Sequence, residues 1–345
     1  MIFWACVSVG YLHMVIAVNF DIPLMIEYFM EPRFSQPWQR GKLGDWKALL
    51  VELGLFIYLI PPLAGIILGR RQRHARTQLA LVIAALLFTF FYGFSSGTRN
   101  IFASYLVTFL IGYAFALPGG RRKELIVLSA ACAALMLVAT VLMLNFRSVG
   151  FRNYFSGNFE QVETREETLF VDYNLYAIAR LMEVFPKHNH YLGMEVPYLA
   201  LVRPIPRALW PGKPEGLSKS IEDALGVEGL TIATSFVGEA YMAGGWAAVF
   251  VVGIFFGGLT GWWSHLASPR NSELGILIYA SGFFAAVISM RSVFVFTTAL
   301  LPTTAALIIG YFLVGKLGAQ AKRLLVRPLQ NRREVPRRNA SRKES

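Results

Sequence analysis

The sequence predicts an all-α, polytopic membrane protein with about eight transmembrane helices and one large outward-facing loop. Three observations predict it. Apolar residues make up 55% of the 345 positions and charged residues 16%, a balance far from that of soluble domains. The apolar residues come in long runs, without the alternation of a half-buried strand or the one-sided spacing of a surface helix, and each run approaches the ~20 residues that cross a ~30 Å hydrocarbon layer. Between the fifth and sixth runs lies a hydrophilic stretch of 88 residues, 146–233, too long for an idle connection.

Taken in order, the nearly uncharged runs are 2–20, 48–69, 78–95, 101–117, 125–144, 240–263, 274–290 and 293–315. The chain divides into helices one to five (1–145), the large loop (146–233), helices six to eight (234–315) and a basic tail (316–345). The first run starts without a basic segment and ends in Val18-Asn19-Phe20, with no small-x-small cleavage site, so it reads as a span and not as a signal peptide. Cys6 and Cys132 both fall inside runs. That placement excludes a disulfide framework or a cysteine-based metal centre and leaves them as small core residues.

Lys and Arg placement in the short loops sets the orientation. Arg70, Arg71, Arg73, Arg76, Arg121, Arg122, Lys123, Arg270 and the tail share one side, eighteen basic residues in all, against six on the other: Arg33, Arg40, Lys42, Lys47, Arg99 and Arg291. Both termini are therefore expected in the cytoplasm and 146–233 outside. The tail supplies ten of the eighteen and most of the net charge of +12. A basic cluster beside a membrane is attracted to anionic cytoplasmic lipids by ~1 kcal/mol per residue, and the polar composition of 330–345 predicts disorder. No basic-aromatic module accompanies the tail, so its charge does not indicate nucleic acid.

Within the large loop, Leu169, Phe170, Tyr173, Tyr176, Ala177, Leu181 and Val184 recur at three- and four-residue spacing. They predict an amphipathic helix over 163–185 whose apolar face needs a cover from the membrane or the spans. Further on, Arg203-Pro204-Ile205-Pro206-Arg207-Ala208-Leu209-Trp210-Pro211-Gly212-Lys213-Pro214 cannot be helix. Each proline removes a donor and fixes φ, so the stretch is expected to be a rigid, extended loop that holds Arg207, Trp210 and Lys213 in fixed relation. Two tight turns, Ser96-Gly97-Thr98-Arg99-Asn100 and Met290-Arg291-Ser292, each place one Arg at the same outer boundary. The first has the small polar residues that let successive amides converge on an anion; for either Arg, snorkelling to headgroups is the structural alternative.

The absent motifs narrow the chemistry. There is no Asp-x-Asp, no phosphate-binding loop ending in Gly-Lys-Ser/Thr, no His-Glu-x-x-His and no Gly-x-Ser-x-Gly, which disfavours enzymes of nucleotide sugars or ATP. What remains is a set of outer cations: Arg99, Arg203, Arg207, Lys213 and Arg291. Guanidinium forks bind phosphate oxygens in pairs and keep their charge in a low-dielectric site, so converging Arg residues could serve a pyrophosphate in place of a metal. His188 and His190 share a face if extended but lack a third ligand nearby, which leaves them as solvated residues or a general base. Glu239, in Gly238-Glu239-Ala240-Tyr241 before Gly244-Gly245, is a carboxylate at the membrane boundary. Such a group needs a cationic partner or a proton-transfer role, and the sequence leaves both open. Glu52 and Asp172 are weaker candidates of the same kind.

The strings Pro204-Ile205-Pro206-Arg207-x-Leu209-Trp210-Pro211-x-Lys213-Pro214 and Gly238-Glu239-x-Tyr241-x-x-x-Gly245, with the Ser96-Gly97-Thr98-Arg99 turn, resemble the bacterial O-antigen and exopolysaccharide repeat-unit polymerases (Wzy-type). The resemblance spans about 96–258; the remainder matches only as hydrophobic spans, and family members usually have more than eight. It implies a metal-independent, cofactor-free glycosyltransferase of the inner membrane. Such an enzyme moves a growing glycan from undecaprenyl pyrophosphate to the next lipid-linked repeat unit on the periplasmic face, with a chain-length regulator as a further partner. On that reading Arg207 and Arg99 hold the donor pyrophosphate, supported by Lys213, Arg203 and Arg291, and Trp210 faces a sugar ring. Glu239, or else His190 or Asp172, accepts the proton of the acceptor hydroxyl. Three alternatives remain: an O-antigen ligase using the same donor, a lipid-linked oligosaccharide flippase, and a non-catalytic scaffold or chain-length regulator.

Overall fold

The computed structural model of the protein describes residues 2–32, 35–38, 47–118, 121–146, 150–157, 173–207, 209–226, 234–265, 273–289 and 292–316. Among these residues all regular structure is helical. The helices are α1 (Ile2–Ala17), α2 (Ile22–Phe29), α3 (Lys47–Leu53), α4 (Ile60–Gly69), α5 (Arg76–Ser95), α6 (Arg99–Ala116), α7 (Arg122–Phe146), α8 (Phe151–Ser156), α9 (Tyr173–Val184), α10 (Glu195–Val202), α11 (Ile221–Leu225), α12 (Ser235–His265), α13 (Glu273–Ser289), α14 (Val293–Ala299) and α15 (Leu301–Lys316). A 3-10 segment, Gly54–Leu59, joins α3 to α4.

Among the described residues, five helices are long and apolar enough to cross a membrane: Leu50–Gly69, α5, α6, α7 through Met143, and α12. The chain is thus an all-α protein with several apolar, membrane-type helices. The first run, 2–20, holds α1 and the turn after it, and α1 passes as a span only when taken with α2, which lies beyond that run. Asn19 and Phe20 take positive φ, Asp21 then caps α2 by accepting from the Leu24 amide, and α1 and α2 meet at 91°. Counted as one span, this pair raises the number to six. The seventh run keeps its expected length, and the eighth is interrupted. α13 has 17 residues, and the final run is divided at Leu300, with Pro302 in the first turn of α15 where a missing amide is tolerated.

The bundle closes through small residues. Gly65 packs on the backbone of Phe109 and Tyr113, and Gly112 packs in return on Pro62; a side chain at either would enter the other helix. Gly65 and Gly69 on α4 face Gly112 and Ala116 on α6 at four-residue spacing, the arrangement that lets membrane helices approach to backbone distance. α1 is set against the 3-10 segment in the same way, a Cβ on Gly10 falling 2.8 Å from Ile57 Cγ1. Around these crossings Phe29, Ile57, Leu59, Ile60, Ala64 and Tyr105 form the main core.

The two ends of the bundle differ. At one end Arg71 and Arg121 lie 3.1 and 3.8 Å from Glu124, Tyr113 donates to Glu124, and Arg70 and Arg73 pair with Glu273. At the other, α8 sits over α5 and α7, with Phe151 against Phe91, Phe94 and Phe146. Residues 173–207 and 209–226 gather at this end into a lobe built on Leu181, Phe185, Tyr241 and Met242, and on Val196, Leu199 and Phe294. Helix α9 is the described part of the amphipathic helix expected over 163–185; the rest of that stretch and the tail from 317 lie outside the described residues.

Candidate functional site

α12 is broken where the lobe meets it. Gly244 (φ −171°, ψ 32°) and Gly245 (φ 64°, ψ −149°) leave the helical region, and only glycine takes the second conformation readily. The break frees carbonyls that would otherwise accept from the next turn. The Leu192 amide donates to Met242 O at 2.9 Å and the Gly193 amide to Ala243 O at 2.8 Å, so the orphaned acceptors are satisfied by a strap from the lobe. A Cβ on Gly245 would meet Tyr191 Oη at 2.7 Å. Glycine therefore supplies both the conformation and the room.

Just over one turn before the break, Glu239 is 3% exposed. The Ser292 hydroxyl donates to its Oε1 at 2.5 Å and the Val293 amide to its Oε2 at 2.5 Å. Ser292 also caps α14, accepting from the Phe294 amide at 3.2 Å, so Glu239 and Ser292 together satisfy amides of that helix's first turn. The Arg203 charge acts on the same carboxylate through space, and its guanidinium lies 5.9 Å from the Phe294 ring centroid. A carboxylate so buried is costly unless its lone pairs are met; here each oxygen has a short donor.

α14 is the joint of the site. Its start holds Glu239, Phe294 packs on Val196 and Leu199 of α10 with Trp210 against the same cluster, and Thr297 donates to Ala200 O at 2.5 Å. Thr298, about 9 Å along the axis from Ser292, lines a cavity of about 340 Å3 between α1, the 3-10 segment, α5 and α6.

The sequence candidates divide. Arg203, Trp210 and Glu239 converge on α14. Arg207 is half exposed and lies 3.6 Å from Glu215. Lys213 turns inward: its Nζ donates to Arg203 O and Ile205 O, both at 2.7 Å, and so closes the proline-rich loop on itself. Arg99 is exposed at the first position of α6. The Gly97 amide donates to Phe94 O and the Thr98 amide to Ser96 Oγ. His188 and His190 are exposed beyond the end of α9, leading into the strap. Asp172 and Arg291 lie outside the described residues. No group of three or more His, Cys, Asp or Glu side chains gathers among the described residues.

The cavity brings in residues that sequence reasoning passed over or ranked low. His13 is 4% exposed inside α1, with Nδ1 3.0 Å from Gly10 O. Trp38, from the segment after α2, is 3% exposed, and Glu52 also lines the wall. A titratable residue within an apolar run is a functional signal, and His13 carried it. Comparison with known protein families, with curated proteins and with solved structures finds no match to this chain.

Proposed function

We propose that this protein is a membrane glycosyltransferase that polymerises lipid-pyrophosphate-linked oligosaccharide repeat units into O-antigen or exopolysaccharide, with eight spans in the bacterial inner membrane and both termini cytoplasmic. The observation that carries it is the meeting of two distant strings. The proline-rich stretch and the Gly238-Glu239 stretch, which carry the resemblance to repeat-unit polymerases, come together on α14, where Arg203 and Trp210 pack at the helix whose first turn holds Glu239. The shorter helices α13 and Val293–Ile308 support the seventh and eighth spans.

In the reaction an acceptor sugar hydroxyl attacks the anomeric carbon of the donor glycan, the bond from that carbon to the pyrophosphate oxygen breaks, and lipid pyrophosphate leaves. Arg207, Arg203 and Arg99 stabilise the charge that develops on it, with Arg291 in support, and Trp210 offers a ring face to a sugar. Both Glu239 oxygens accept from the start of α14, from Ser292 and Val293, so Glu239 acts as a positioning residue for that helix end. The hydroxyl proton then falls to His190 or Asp172.

The test is polysaccharide chain length in a polymerase-deficient bacterium carrying this gene. Arg207→Ala and Glu239→Ala, at wild-type levels in the membrane, are each expected to cut long-chain product at least tenfold. Unchanged ladders in both variants overturn the proposal, and transfer of chains to a new anchor without lengthening favours the ligase.

A further inference from the structure

We infer that α10 is a membrane-contacting helix, its exposed apolar stripe lying in the lipid leaflet at the lobe end of the bundle. The stripe is Met194, Tyr198 and Leu201, at four- and three-residue spacing, which puts them on one face of the helix. All three are exposed, Leu201 at 70% and Met194 at 79%, and so are Ile205 and Leu209 in the loop that follows. The opposite face, with Val196, Leu199 and Ala200, is buried in the cluster around Phe294. Helix α10 is therefore apolar on both sides and uncharged from Val196 to Val202, a pattern that belongs in a core or in lipid and not in water.

The position of α10 decides between the two. Glu239 on α12 and Ser292 before α14 meet at one level. From there α12 runs toward the end that carries Glu273 and Arg70, and α14 leads into α15 in the same direction. α10 is fastened beyond that level: the Gly193 amide donates to Ala243 O at 2.8 Å, and Thr297 donates to Ala200 O at 2.5 Å. It thus lies alongside the apolar runs 240–263 and 293–315 and not above them. Past its break, α12 exposes Phe250, Val251, Ile254 and Phe255, the surface a membrane-type helix gives to lipid, and the same leaflet extends to the flank where α10 is held. α9 is the contrast within the lobe. Its apolar face, with Ala177 and Leu181, is closed by Tyr241 and Met242, and Arg180 and Glu183 stand on its exposed side. Arg203 and Arg207, just past the end of α10, are exposed and supply the cations that interfacial helices present to headgroups. A second copy of the chain is the poorer cover: a stable protein interface takes ~20–30 residues a side, and five apolar side chains do not supply it.

This contact does not depend on the glycan reading. The test is spin-label accessibility on the full chain in phosphatidylcholine nanodiscs. Cys6 and Cys132 are buried and are expected to stay unlabelled, which labelling of the unsubstituted chain verifies. Nitroxides are placed at Leu201→Cys, at Phe250→Cys as the lipid reference and at Glu183→Cys as the water reference. Oxygen concentrates in lipid and a nickel chelate in water, so the ratio of their collision rates reports the medium around each label. The ratio at position 201 is expected to be at least threefold above that at position 183 and close to that at position 250. If Leu201→Cys lowers the thermal midpoint, Met194→Cys serves in its place. A ratio less than threefold above the water reference overturns the inference, and so does a label shielded from both reagents, the result of a protein cover such as a second copy.

Discussion

The two ends of the bundle handle their carboxylates differently. At the arginine end, Glu124 and Glu273 are partly exposed and are each met by two or more guanidiniums. At the lobe end, Glu239 is buried and its two oxygens are met by a hydroxyl and a backbone amide. The first arrangement is tolerant, since exposed ion pairs are screened and contribute little individually. The second is not: hydrogen bonds to a buried charged group are worth more, and losing one leaves an unmet charge. The contrast separates an end that is anchored by charge from an end that is set by geometry.

Three substitutions break or sharpen that contrast, in falling order of effect. Gly245→Val forces a branched side chain into a positive-φ position beside Tyr191; ~1–2 kcal/mol of backbone strain adds to the collision. The strap should leave α12, seen as faster proteolysis near residues 185–195 and loss of product. Ser292→Ala removes the hydroxyl from Glu239 Oε1 and should lower stability by about 1.5–3 kcal/mol, read as a lower thermal midpoint in detergent, with Ser292→Thr restoring most of it. Glu273→Gln at the opposite end should cost ~1 kcal/mol or less, and less still at high salt. A midpoint drop there equal to that of Ser292→Ala would erase the distinction.

Much of the bundle was legible because its determinants are local. The small-residue spacing of Gly65 and Gly69, and of Gly112 and Ala116, is visible in the chain, as are the hydrophobic runs. Glu239 stood out for its place at a membrane boundary. What sequence could not supply was pairing between distant segments. Nothing near Lys213 says that its ammonium closes its own loop and is not held out for a phosphate, and nothing near Glu239 says that its partners are 53 and 54 positions away. The cavity was hidden for the same reason: His13, Trp38, Glu52 and Thr298 come from four separate stretches, and only packing makes them neighbours. The bend after α1 and the division at Leu300 were marked by Asn19, Pro23 and Pro302, residues that favour turns or cannot continue a helix, inside or beside the hydrophobic runs.

The strap across the α12 break also has a direction in time. Residues 191–193 leave the ribosome about fifty positions before Met242 and Ala243, so the amides that complete the helix precede the carbonyls they will meet. The upper turn of α12 is then templated by chain already in place, and the buried carboxylate it carries arrives at its donors last, when Ser292 and Val293 follow.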